Sequence, residues 1–121
     1  MPHAGGLTTH ILDTAHGCPA VSVRVRLYRL SDDGASVCLA DLRTNAEGRC
    51  AEPLLSADKL TPGRYRLDFA VAEYFRMKGV ALSDPPFLDI VTMSFGIAEK
   101  GAPYHVPLLV SPYGYSTYRG S

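Results

Sequence analysis

Histidine is the side chain best suited to proton transfer near neutral pH, because imidazole has a reference pKa of about 6.5. The chain holds four: His3, His10, His16 and His105. His3 belongs to the stretch 1–6, where a flexible end is expected. His10 lies in an extended apolar–polar stretch, Leu7-Thr-Thr-His-Ile-Leu-Asp13, and His105 lies at the start of a strand in Pro103-Tyr-His-Val-Pro107. His10 and His105 are 95 positions apart, and sequence alone does not bring them together. The plain alternative for either is a surface or hydrogen-bonded imidazole.

Other reactive patterns fare worse. No His-x-His or His-x-x-x-His pair is present, and the His10–His16 spacing is awkward for one ion, so no metal site is expected. Ser94 in Met-Ser-Phe-Gly lacks the first glycine of a nucleophile elbow. Gly5-Gly6 and Gly17 form no phosphate-cradling loop. Asp32, Asp33 and Asp84 stand beside turn residues and read as solvated carboxylates. Cys18, Cys38 and Cys50 form no CxxC pair and no disulfide framework, so reduced and mostly buried thiols are expected. The C-terminal segment Ser111 to Ser121 is aromatic, polar and compact, which by itself describes an edge strand ending in a tail.

Short alternating runs bounded by turns must position these residues. Val21, Val23, Val25 and Leu27 alternate with polar residues and predict a half-buried strand. Val37 to Leu42 predicts a second. Asn45 to Gly48 supplies a tight turn. Leu54 to Leu60 is short and irregular. Thr61-Pro62-Gly63 is a turn leading into a strand whose apolar face is Tyr65, Leu67 and Phe69. Val71, Tyr74, Phe75 and Lys78 then follow helical spacing, with Gly79 as the cap; this is the one helix expected. Pro85-Pro86 favours an extended backbone. Asp89 to Ile97, Tyr104 to Val110 and Tyr113 to Tyr118 predict three more strands. Proline lacks the ladder donor, so Pro107 and Pro112 place the last two at sheet edges or require a bulge. Six or more short strands with one helix predict an all-β, two-sheet sandwich.

The 121 residues predict one domain, 1–121, large enough for its own core. Twelve basic and twelve acidic residues balance, with no basic stripe, so neither nucleic acid nor a membrane surface is an expected partner. No signal-peptide pattern opens the chain, no apolar run could span a bilayer, and Arg-Gly-Ser is no peroxisomal address; the cytoplasm is the expected location.

Three blocks carry a family resemblance: Leu7-Thr-Thr-His-Ile-Leu-Asp-Thr-Ala-His-Gly-Cys-Pro-Ala20, Arg43-Thr-Asn-Ala-Glu-Gly-Arg49, and Tyr104 through Ser121 with its terminal Tyr-Arg-Gly-Ser. They resemble the signatures of the 5-hydroxyisourate hydrolases, relatives of transthyretin, and run from near one end of the chain to the other. The terminal tetrapeptide separates those hydrolases from the hormone carrier. His16 and Cys18 depart from the family pattern.

The resemblance implies a transthyretin-like sandwich of two four-stranded sheets and one short helix. It also implies a homotetramer, a dimer of dimers with active sites in the channel where dimers meet. The implied reaction is hydrolysis of 5-hydroxyisourate to 2-oxo-4-hydroxy-4-carboxy-5-ureidoimidazoline in urate breakdown, with no cofactor. His10, Arg49, His105 and Ser121 are the implied catalytic residues; Tyr118, Arg119 and Gly120 line or close the pocket. One histidine would activate water and the other bind substrate or deliver a proton, in an order left open. Arg49 would hold the carbonyls and the developing oxyanion, and the Ser121 α-carboxylate would be anchored by a basic side chain. Two rivals stand beside this reading: a small-ligand carrier of transthyretin type without catalysis, and a secreted β-sandwich module.

Overall fold

Period-two burial dominates the observed architecture. The structure, a computed structural model, describes residues 6–120. His3 and Ser121 therefore lie outside the described residues, as does most of the N-terminal stretch expected to be flexible.

Among the described residues eight strands, one α-helix and a short 3-10 turn at Ala57–Lys59 are formed, the strands and α-helix in the order β1 Leu7–Asp13, β2 Cys18–Pro19, β3 Arg24–Leu30, β4 Ser36–Arg43, β5 Gly63–Ala70, α1 Val71–Met77, β6 Ile90–Ile97, β7 Tyr104–Ser111 and β8 Gly114–Thr117. They form two four-stranded sheets, ordered β2-β1-β7-β8 and β4-β3-β5-β6. In β1 the odd-numbered residues Leu7, Thr9, Ile11 and Asp13 are buried, while Thr8, His10 and Leu12 take the other face. Val25, Leu27, Leu67, Phe69, Val106 and Leu108 fill the space between the sheets. Each such side chain stabilises the fold by roughly 1.5–3 kcal/mol.

The helix carries the other polar element of the interior. Val71, Ala72, Tyr74 and Phe75 are buried, and Gly79 and Val80 donate back to Arg76 and Phe75, closing the last turn. Tyr74 donates its hydroxyl to Asp13 at 2.7 Å, and His16 Nδ1 lies 2.6 Å from the same carboxylate. Backbone N–H groups of Ala15 and His16 also donate to Asp13. Burial by itself would raise this carboxyl, but the hydrogen bonds from Tyr74 and His16 outweigh it and hold Asp13 below the ordinary carboxylate range.

Several expectations need correction. Val21 is exposed and lies in a turn, because Ser22 takes a left-handed backbone (φ 64°); β3 starts only at Arg24. The segment around Pro85-Pro86 is bent, with a cis Asp84–Pro85 peptide. Cys38 is exposed and Cys18 and Cys50 are half-buried, since none occupies an inner-face position at the centre of a sheet; all three are free.

Pro107 is the most informative correction. It lies in β7, which is flanked on both sides, not at an edge. Tyr104 N–H donates to Gly6 and the Val110 carbonyl accepts from Thr14, so even-numbered residues of β7 bond toward β1. Odd-numbered residues, Pro107 included, face the C-terminal strand. There the ladder is interrupted between Leu108↔Thr117 and the single bridge His105↔Gly120. The missing N–H falls in that gap, and the Pro107 carbonyl accepts the Thr117 hydroxyl at 2.7 Å. Pro112 lies in the turn between β7 and β8.

Candidate active site

Parallel pairing of β1 with β7 joins the two distant histidines. The register sets Thr8 beside His105 and His10 beside Pro107. Residues side by side in a ladder share a face, so Thr8, His10 and His105 all project from the side of the sheet away from the core. Neighbouring strands are about 4.8 Å apart, which leaves the imidazoles within reach of one small molecule. Thr8 Oγ1 lies 2.8 Å from His105 Nδ1. That contact fixes the ring and leaves Nε2 directed away from the strand.

Arg49 arrives from the other side of β1. Asn45 begins a tight turn, accepting with its side chain from the N–H groups of Glu47 and Arg49. Asn45 N–H donates to the Arg49 carbonyl at 2.7 Å. The turn docks against β1 through Ile11 N–H donating to Gly48. Gly48 has φ 77°, and a Cβ there would stand 2.5 Å from the Ile11 carbonyl oxygen, so only glycine fits. The next residue, Arg49, then forms an antiparallel bridge with His10.

The C-terminal segment completes the row. Beyond β8, Gly120 N–H donates to the His105 carbonyl at 2.7 Å. A Cβ on Gly120 would lie 2.7 Å from His105 Cδ2, so the chain passes in contact with the imidazole. Across adjacent strands the face therefore runs Arg49, His10 with Thr8, His105, Gly120. Tyr118 is exposed. Arg119 is placed differently: its guanidinium lies over the Tyr104 ring, 4.1 Å from the centroid.

Electrostatics tune the pair unequally. Burial lowers the His105 pKa below the ordinary imidazole value, and the charges of Arg49 and His10 lower it further. His105 is thus neutral at neutral pH, as a proton acceptor must be. A fixed cation beside it suits a developing oxyanion. His16 stands apart, bound to Asp13 at the end of β1. Among the described residues no group of three or more His, Cys, Asp or Glu side chains converges on one point. Sequence alone does not single out Thr8. Its only signal there is its place two residues before His10, which a strand turns into a shared face.

The fold and this polar face define a class, the transthyretin-like β-sandwich with a histidine–arginine site on one sheet. The HIUase/Transthyretin family model matches residues 7–120, and the chain belongs to that family. Within it the chain stands with the 5-hydroxyisourate hydrolases. It is 53% identical to the curated 5-hydroxyisourate hydrolase of Ralstonia nicotianae over 117 residues, 97% of this chain and 99% of that one. The Klebsiella pneumoniae 5-hydroxyisourate hydrolase structure is 38% identical with a TM-score of 0.78, covering 97% of this chain and 99% of that one. Sea bream transthyretin, solved in complex with thyroxine, is 28% identical with a TM-score of 0.84, covering 95% and 94%.

Proposed function

We propose that this chain hydrolyses the N1–C6 amide of 5-hydroxyisourate, giving 2-oxo-4-hydroxy-4-carboxy-5-ureidoimidazoline, without a cofactor, in cytoplasmic urate breakdown. The observation that carries the reading is the row of Arg49, His10, Thr8 and His105 on one face, with His105 held neutral. His105 is assigned as the base. With Nδ1–H donating to Thr8, the lone pair on Nε2 takes a proton from water as that water attacks C6. Arg49 holds the oxygen that becomes negative in the tetrahedral intermediate. His10 binds the ring and delivers the proton that N1 needs to leave as the C6–N1 bond breaks. Tyr118, Gly120 and Ser121 close the pocket.

The acting unit in this reading is a single domain of 1–121, assembled as a homotetramer with the sites where dimers meet. Exposed Leu12 on the histidine face and exposed Tyr115 on edge strand β8 support burial against other copies.

The test is loss of freshly generated 5-hydroxyisourate, followed by ultraviolet absorbance against its spontaneous decay. Strong acceleration, abolished in His105→Ala and Arg49→Ala, is expected. A folded tetramer with a free C-terminus that gives no acceleration would favour a small-ligand carrier instead.

A further inference from the structure

Two residues, Tyr118 and Arg119, lie between the end of β8 and the bridge of Gly120 to His105, and among the described residues one backbone hydrogen bond, Gly120 N–H to His105, is a weak hold. Something else must keep this segment against the imidazole. Alternation along an extended chain gives the answer. Gly120 pairs with His105 and shares its outer face; Tyr118, two residues back, points the same way. Arg119 must point to the opposite side.

There it meets Tyr104. The guanidinium covers the ring at 4.1 Å from the centroid, and Nη2 donates to the Pro103 carbonyl at 3.3 Å. Tyr104 is a rigid post. It is buried, its hydroxyl accepts from the N–H groups of Ala98 at 2.9 Å and Glu99 at 3.2 Å, and its own N–H is bound by Gly6. It is also the residue directly before His105.

We propose that Arg119 is a positioning residue that clasps the C-terminal segment to Tyr104 and so sets the height of Gly120 over His105, without touching substrate. The clasp rests on the reading that this face is the hydrolase site. Its charge serves a cation–π contact. The chain strap closes on the edge of the active site from behind, and the outer face is left to Tyr118 and Gly120.

A double-mutant cycle in kcat/KM for 5-hydroxyisourate tests this. Arg119→Met should lower kcat/KM about threefold, the scale of one exposed cation–π contact. Arg119→Lys should recover most of the loss, since an ammonium also sits over a ring. The Arg119→Met loss should vanish when Tyr104→Leu is already present and persist with Tyr104→Phe. An equal factor in the Tyr104→Leu background would mean direct substrate contact and overturn the proposal. Should Tyr104→Leu fail to fold, carboxypeptidase trimming followed by mass spectrometry decides. Arg119→Met should lose Ser121 and Gly120 about threefold faster than the parent, and unchanged trimming would overturn the clasp. Trimming needs no catalysis, so an inactive parent whose Arg119→Met variant trims faster would defeat the hydrolase reading and leave the clasp standing.

Discussion

Gly120→Ala is the sharpest probe of the site geometry. The added Cβ would stand 2.7 Å from His105 Cδ2, and 3.4 Å from both Cγ and the carbonyl oxygen. Carbon pairs are at their optimum near 3.5–4.0 Å, so the clash amounts to roughly 1 Å. Two responses are open. The imidazole turns off its 2.8 Å contact with Thr8, or the segment lifts and gives up the 2.7 Å bond from Gly120 N–H to His105. Either loses about 1 kcal/mol of hydrogen bonding. The larger cost is catalytic, because a misplacement on the order of 1 Å at a reacting group costs about 10²-fold. Gly120→Ala should therefore lose about 100-fold in kcat/KM for 5-hydroxyisourate hydrolysis, roughly 2.7 kcal/mol. Its melting temperature should fall by no more than about 4 °C, since the segment ends an edge strand. Gly114→Ala is the control, because a Cβ there meets nothing closer than Ser111 Oγ at 3.8 Å. If Gly120→Ala keeps kcat/KM within about threefold of the parent, the imidazole does not work in the position described.

Further outcomes follow from the same geometry. Thr8→Val should cut kcat/KM by about tenfold, with recovery in Thr8→Ser; stopped-flow absorbance checks this, and an unchanged Thr8→Val would deny the hydroxyl a role in holding His105. The His105 pKa is lowered, so the basic form persists into acid and the acid limb of kcat/KM should lie below the ordinary imidazole value. Arg49→Gln removes one of the charges that lower it, so in whatever residual activity remains that limb should move up in pH; a downward move would contradict the assignment. Asp13→Asn should destabilise the fold by about 2–4 kcal/mol by urea unfolding. Because the Asp13 pKa is depressed on folding, its contribution is present above the unfolded carboxyl value and disappears as pH falls through the folded one. The cost of Asp13→Asn should accordingly shrink in acid, and a pH-independent cost would refute the carboxylate's role.

Much of the scaffold was legible because local patterns carry it. Tyr65, Leu67 and Phe69 alternate, and all three are buried in β5. Val71, Tyr74 and Phe75 keep helical spacing, and all three are buried in α1. Errors arose where a local rule met a long-range decision. Val21 continued the apolar alternation of β3, but the left-handed Ser22 turns the chain before the strand begins. Pro107 argued for an edge, yet a gap in one ladder accommodates it inside a sheet.

The sequence by itself determined the strand-and-helix pattern, through burial periods of two and 3.6. Through its three motif blocks it also pointed to His10, Arg49 and His105 as residues worth finding together. Tertiary structure alone decided how they meet. Pairing β1 with β7 joins segments 97 positions apart, and the buried apolar faces of both sheets choose that register. No local rule reports which residue will lie beside His105, so Thr8 stayed hidden until the strands were paired. The same holds for the glycines. Gly48 and Gly120 look like ordinary turn and tail residues in a sequence. A carbonyl from β1 at one and an imidazole from β7 at the other leave no room for a Cβ, and only the packed fold brings those neighbours there.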